Sequence, residues 1–105
     1  MKNKAINALI EMGASAGNKG FHYIVDAMVL FENEKIRSGK ITDLYCEIAK
    51  MHNTSYGNVE RCIRHEFGTI LEKGRLSIVE RYLTFQYVTN SNLLHTFYLR
   101  LAQEV

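Results

Sequence analysis

The chain has no proline. Proline breaks helix interiors by removing a backbone donor and clashing with the preceding turn, so its absence over 105 residues leaves long helices unopposed. Most of the seven glycines fall near the ends or corners of segments with helical periodicity, which also favours an all-α fold. Cysteine is scarce. Cys46 and Cys62 are not spaced as a metal or redox pair and both fall within predicted helices, which reads as reduced thiols. No long hydrophobic run exists. The most apolar stretch, residues 21–31, contains His22 and Asp26 and is far below the roughly 20 residues needed to span a membrane. The opening MKNKAINALIEMG is too short for an export signal, is interrupted by Glu11, and lacks a small-residue cleavage pattern. The expectation is a soluble, cytoplasmic chain. The formal charge of +2 does not by itself announce a nucleic-acid binder, so any basic surface must be local.

Catalytic patterns are missing as well. His65-Glu66 opens like a zinc-protease motif, but Thr69 stands where the second histidine belongs. A di-iron bundle needs Glu-x-x-His, and the residues three before His22, His52, His65 and His95 are Lys19, Ala49, Cys62 and Asn92. No glycine-rich loop is placed to cradle phosphate, and no serine or cysteine has a histidine at a spacing that suggests activation. The reading is a non-enzyme that needs no metal and no cofactor.

What is present is helical patterning in a chain that is 47% apolar. At this length one domain spanning residues 1–105 is expected to bury roughly 60–70% of its unfolded surface. A first helix, about 4–12, carries Ile6, Leu9 and Ile10 on one side and stops at Gly13. Residues 14–20 read as a loop. A long helix at about 18–37 points Phe21, Ile24, Val25, Met28 and Phe31 inward over more than one stripe, which marks it as central. Ser38, Gly39 and Lys40 end it. A fifth helix at about 77–85 presents Ile78, Val79 and Tyr82. A sixth at about 91–103 carries Leu93, Leu94, Phe97, Tyr98 and Leu101 as core. The expected fold class is all-α, a compact bundle of about six helices.

Between them lies the stretch that organises the rest, NTSYGNVERCIRHEFGTILEKG, residues 53–74. Tyr56, Val59, Ile63, Phe67 and Ile70 recur every three or four residues and lay an apolar stripe along one helix. The opposite side carries Asn58, Arg61, Arg64 and His65, with Gly57 and Gly68 among them: a compact cationic face rich in donors. Thr54 or Ser55 can cap the helix start, and Gly74 can supply a left-handed residue at its end. Upstream, residues 41–51 form a shorter amphipathic helix with Ile41, Leu44, Tyr45 and Ile48 on one side. Asn53 can take the left-handed conformation of a tight corner, and Ala49 lets the second helix cross closely. Two helices, a tight turn and an outward cationic face make a helix-turn-helix pattern.

At these residues the chain resembles a known family. Val59-Glu60-Arg61-Cys62-Ile63-Arg64-His65, preceded by Ile48-Ala49-Lys50 and Asn53-Thr54, is similar to the C-terminal DNA-binding domain of stage-zero sporulation protein A, a sporulation response regulator. Ile10-Glu11-Met12-Gly13 and Lys19-Gly20-Phe21 match its opening pattern in order and spacing. The resemblance runs from about Ala5 to Gly74 and is looser beyond Arg75. It implies an effector domain for transcription regulation, with a recognition helix at about 55–73 in the major groove of double-stranded DNA. Asn58, Glu60 and Arg61 would contact bases. Lys19, Lys40, Thr42, Ser55, Gly57, Arg64 and His65 would contact the backbone. An arginine can donate twice to guanine, and a glutamate can accept from a cytosine amino group or hold an arginine in place.

The chain also departs from the family. Asn58 stands where relatives usually carry arginine, and a phosphate-accepting receiver domain has no room in 105 residues. Either an excised domain or a stand-alone version fits. A second copy on adjacent DNA sites and RNA polymerase are the implied partners, with no membrane. The competing reading is a protein-interaction module that keeps the fold without binding DNA and uses its C-terminal helices.

Overall fold

The structure, a computed structural model, describes residues 1–33 and 40–104, and its elements are six helices with no strand among the described residues. They are α1 (Lys2–Glu11), α2 (Lys19–Glu32), α3 (Ile41–Met51), α4 (Tyr56–Lys73), α5 (Leu76–Val79) and α6 (Asn90–Gln103). The expected continuation of α2 through residues 34–37, and its end at Ser38 and Gly39, lie outside the described residues.

Helix α2 is the hub. Phe21, Tyr23, Ile24, Val25, Ala27, Met28 and Leu30 are all buried, which is more than one face of a helix, and α2 packs against α1, α3, α4 and α6. The apolar spread read from the sequence has this cause. On α6 the buried side chains are Leu93, Leu94, Phe97 and Leu101, with Tyr98 half-buried behind them. The expected stripe is therefore core.

Three expectations need correction. On α1 the buried residues are Ala5, Ala8, Leu9 and Met12, while Ile10 is exposed. Small side chains at 5 and 8 let α1 lie close on α2, and that contact, not residue size, chooses the face. On α4, Val59, Ile63, Phe67 and Ile70 are buried as expected, but Tyr56 is 50% exposed. It stands in the first turn, at the edge of the core, with its ring 6.1 Å from that of Tyr45. The fifth helix is shorter than residues 77–85. After Val79 the backbone bonds tighten, with Arg81 N–H on the Ile78 carbonyl and Tyr82 N–H on Val79. Val79, Tyr82 and Leu83 are still buried, and Phe85 is not.

Helix ends show how local chemistry sets direction. At the end of α1, Gly13 has φ +91° and the N–H groups of Gly13 and Ala14 bond to Ile10 and Leu9 carbonyls, a Schellman motif. The same motif closes α3: Asn53 has φ +51°, its N–H bonds to Lys50, and Thr54 N–H bonds to Ala49. Gly74 does something else. Its φ of −69° and ψ of 157° are extended, not left-handed. A side chain there would come within 2.7 Å of the Ile70 and Met12 carbonyl oxygens and of a Val79 methyl, so close packing requires the glycine.

Among the described glycines, Gly20 leaves the least room. A Cβ at this position would lie 2.3 Å from the carbonyl oxygen of Cys62 and 3.0 Å from the Glu66 Cβ, so α2 touches the α4 backbone directly. Gly20→Ala forces the two helices apart and should destabilise the fold by roughly 1–3 kcal/mol, the range of overpacked cores. Urea unfolding checks this; an unchanged midpoint would mean that α2 can lift off α4 freely.

Burial also raises three tyrosine hydroxyls, Tyr23, Tyr45 and Tyr82, above the ordinary value of 10.0. In the folded state each holds its proton more tightly than in the unfolded chain, so their contribution is fully present below about pH 10 and is lost as pH rises through the elevated folded values. Urea midpoints should fall as pH rises above about 10. Midpoints unchanged above that pH would show these hydroxyls reaching water.

Candidate nucleic-acid interface

The corner between α3 and α4 is built from four consecutive residues. His52 ends α3, Asn53 turns the chain through its positive φ, Thr54 bonds back to Ala49, and Ser55 begins α4 by accepting the Asn58 N–H on its hydroxyl at 3.1 Å. Of the two expected caps, Ser55 is the one used. Thr54 holds the Asn58 side chain instead, its hydroxyl accepting from Nδ2 at 3.0 Å. The corner is also fastened to α2. His52 Nε2 lies 2.5 Å from an Asp26 carboxylate oxygen, and the His52 ring meets Tyr23 edge-on at 4.9 Å. Burial raises Tyr23, and the Asn58 amide opposes that rise from beside it.

With the corner fixed, α4 presents Arg61, Arg64, His65 and Gly68 to solvent. Arg61 donates from Nη2 to Asn58 Oδ1 at 3.1 Å, and the Cys62 thiol donates to the same oxygen at 3.6 Å. Arg64 pairs with Glu60 one turn earlier, and Glu60 is half-buried. The Glu60 carbonyl takes the Asn90 amide at 3.0 Å, which ties the start of α6 to the middle of α4. Gly57 has open space where a Cβ would be, and so has Gly68.

Lys19, far away in sequence, joins this group. It opens α2 and lines a hollow of about 410 Å³ together with Asn18, Gly20, Arg61, Cys62, His65 and Glu66. A neighbouring hollow of about 350 Å³ runs from Lys19 to His52, Asn53 and Thr54, with His22 and Tyr23 between. The structure thus brings Lys19, Arg61 and His65 to one hollow, with Asn58 bonded to Arg61 beside it and Ser55 and Gly57 at the leading end of α4. Lys40 and Thr42 are exposed but stand at the start of α3, the end away from the turn, and line neither hollow. Asn58 is half-buried and its amide is bonded on both sides, so it is less free than a residue simply facing outward.

Sequence reasoning missed Glu66, Asp26 and His52. Glu66 sits on a helix whose charged residues otherwise face water, yet it is 1% exposed. Its carboxylate accepts from the Ser15 N–H at 3.4 Å and from Asn18 Nδ2 at 3.1 Å. A signal was present in the seven-residue spacing from Val59, which puts Glu66 on the buried stripe beside Phe67 and Ile63. His52 and Asp26 left no comparable trace, since their pairing depends on where α2 passes the turn.

Among the described residues no helix is long and apolar enough to cross a membrane, and no cluster of three metal-binding side chains occurs. Residues 5–101 match the family described as sporulation initiation factor Spo0A C terminal. The match continues past Gly74 into α6, so the C-terminal helices, where the resemblance in sequence is looser, are part of it. Reaching into all six helices, it shows that the chain belongs to the Spo0A C-terminal family, a family of DNA-binding effector domains of sporulation regulators.

Proposed function

We propose that the chain binds double-stranded DNA in a sequence-specific way as a transcription regulator, with α4 in the major groove. The observation that carries this reading is the convergence of Lys19 from α2 with Arg61 and His65 from α4 on one exposed face. Phosphate contacts need cations from more than one element to fix register, and base contacts need a donor near the leading end of the helix. Arg61 is that donor. Its guanidinium can bond guanine O6 and N7 together, and Asn58 already holds one of its nitrogens. Asn58 and Glu60 flank it as the other base-reading positions. Asn58 contributes through a carboxamide suited to adenine, and Glu60 through a carboxylate that holds Arg64 until DNA competes for it.

Arg64, His65, Lys19, Ser55 and the open backbone at Gly57 then meet phosphates. Nothing inside the chain fills the space at Gly57, which suits a close approach from outside. Lys40 and Thr42 complete the backbone contacts on the flank of α3. The chain acts in the cytoplasm as one unit. A second copy on an adjacent site and RNA polymerase are its partners on the duplex.

A second reading has one observation in its favour. Phe85, Tyr87 and Val88 are exposed in the segment before α6, and Tyr87 is 82% exposed at φ +54° with its carbonyl held by Asn92 at 3.0 Å. An exposed apolar loop of this kind suits a protein partner. Selection from a random-sequence DNA pool decides between the readings: an enriched motif supports the regulator, and no enrichment even at low salt supports the interaction module.

Arg61→Ala should erase discrimination at one base pair, a loss of about 1–3 kcal/mol on the preferred site, while circular dichroism shows an intact fold. Parental affinity for that site in a folded variant would reduce Arg61 to a surface charge. Binding should also weaken with salt. Roughly four or five phosphate contacts give a slope of log K against log[salt] near −4, and Lys19→Ala should flatten it by about one while weakening all sequences alike. A parental slope near zero would remove the proposed docking face.

A further inference from the structure

Glu66 is the one buried ionisable side chain among the described residues that neither the core nor the DNA contacts use. A carboxylate at 1% exposure is costly unless donors replace its water. Both of its donors come from the segment that leads into α2: the Ser15 N–H and the Asn18 amide. Asn18 occupies the N-cap position of α2, yet its side chain makes no capping bond there. An asparagine at this position ordinarily accepts from its own helix. Here its Nδ2 donates across to α4 instead, and the Glu66 charge is placed near the positive end of α2, where the backbone dipoles favour it.

The next two residues complete the pattern. Lys19 extends beside Arg61 and His65, and Gly20 rests on the Cys62 carbonyl. Asn18, Lys19 and Gly20 thus supply, in order, a bond to α4, a cation next to its outer face, and direct backbone contact.

We infer that Glu66 is a positioning residue for DNA binding: through Asn18 it fixes the start of α2 on the recognition helix and so holds Lys19 in register with Arg61. The inference rests on the DNA-binding reading above. It makes the phosphate contact of Lys19 and the base contact of Arg61 parts of one rigid unit. In its absence the residues just before Gly20 lose that tie to α4, and the Lys19 ammonium spreads over more positions.

The test is a pair of double-mutant cycles, Glu66→Ala with Lys19→Ala and Asn18→Ala with Lys19→Ala, read as affinity and salt slope on the selected DNA site and on a scrambled one. Asn18 is exposed, so Asn18→Ala keeps the test alive if Glu66→Ala fails to fold. Each single variant should weaken both sequences by about three- to tenfold, flatten the salt slope by up to about one, and leave the selected motif unchanged. Adding Lys19→Ala to either should change little further, because the contact it removes is already lost. Glu66→Gln keeps an oxygen for Asn18 and should stay near the parental slope. A merely structural role would lower the urea midpoint but leave the slope and the additivity of Lys19→Ala untouched, and that result overturns the inference. So does a Glu66→Gln variant that binds all sequences more tightly, since Glu66 would then act as a repelling charge. Additive variants on a parent that binds DNA defeat this inference alone, whereas a parent with no salt-dependent binding defeats the DNA reading with it.

Discussion

Gly20 lies so close to the Cys62 carbonyl that no side chain fits between them, and much of the proposed binding face follows from that contact. Two helices usually pack with side chains between them at 8–10 Å. Here a glycine removes that spacer, and the start of α2 lies on the backbone of α4. Only because the approach is so close can Asn18 reach Glu66 and can Lys19 share a hollow with Arg61 and His65. The polar bonds do not create this crossing. The apolar side chains that surround it, Phe21, Ile24, Ile63 and Phe67, each contribute about 1.5–3 kcal/mol on burial, against about 1 kcal/mol for a typical hydrogen bond. The core sets the crossing, and the bonds choose one arrangement within it.

The corner between α3 and α4 works the same way at smaller scale. Asn53 in the left-handed region and the Ser55 cap set the angle at which α4 leaves the turn. The cap is worth roughly 1 kcal/mol, too little to hold the helix alone. The buried Val59, Ile63, Phe67 and Ile70 supply the strength, and the Asp26–His52 contact fastens the outside of the corner to α2. The helix that meets DNA in the proposed function is therefore a rigid part of the bundle, aimed before any ligand arrives.

A low net charge of +2 is compatible with a locally basic face. Acidic residues near the binding face are withdrawn or engaged: Glu66 is buried beneath it and Glu60 is paired with Arg64. An exposed pair one helical turn apart is worth only about 0.3–0.5 kcal/mol, so a DNA phosphate can take Arg64 from Glu60 at little cost. Asn58 plays a quieter part than an arginine would. Its short side chain is held by Thr54 and in turn holds Arg61, which exchanges one cation for a more fixed one.

Amino-acid order alone determined the helices, the turn and the family. Those depend on contacts within a few residues: the spacing of Val59, Ile63 and Phe67, the hydroxyl of Ser55 before Tyr56, and Asn53 between two amphipathic runs. It also placed Arg61, Arg64, His65 and Gly68 on the exposed side of α4, because the buried Val59, Ile63, Phe67 and Ile70 leave them only that side. Tertiary structure decided what joins that face. Local periodicity made Tyr56 and Ile10 inward and gave Gly74 a left-handed backbone. The edge of the core, two alanines and a crowded crossing reversed those assignments. Lys19 beside Arg61, Glu66 under Asn18 and Asp26 against His52 are pairs distant in sequence, brought together by where α2 crosses α4 and the turn. Such pairs leave no spacing to read, since the distance between them is set by how whole helices pack and not by the residues that separate them along the chain.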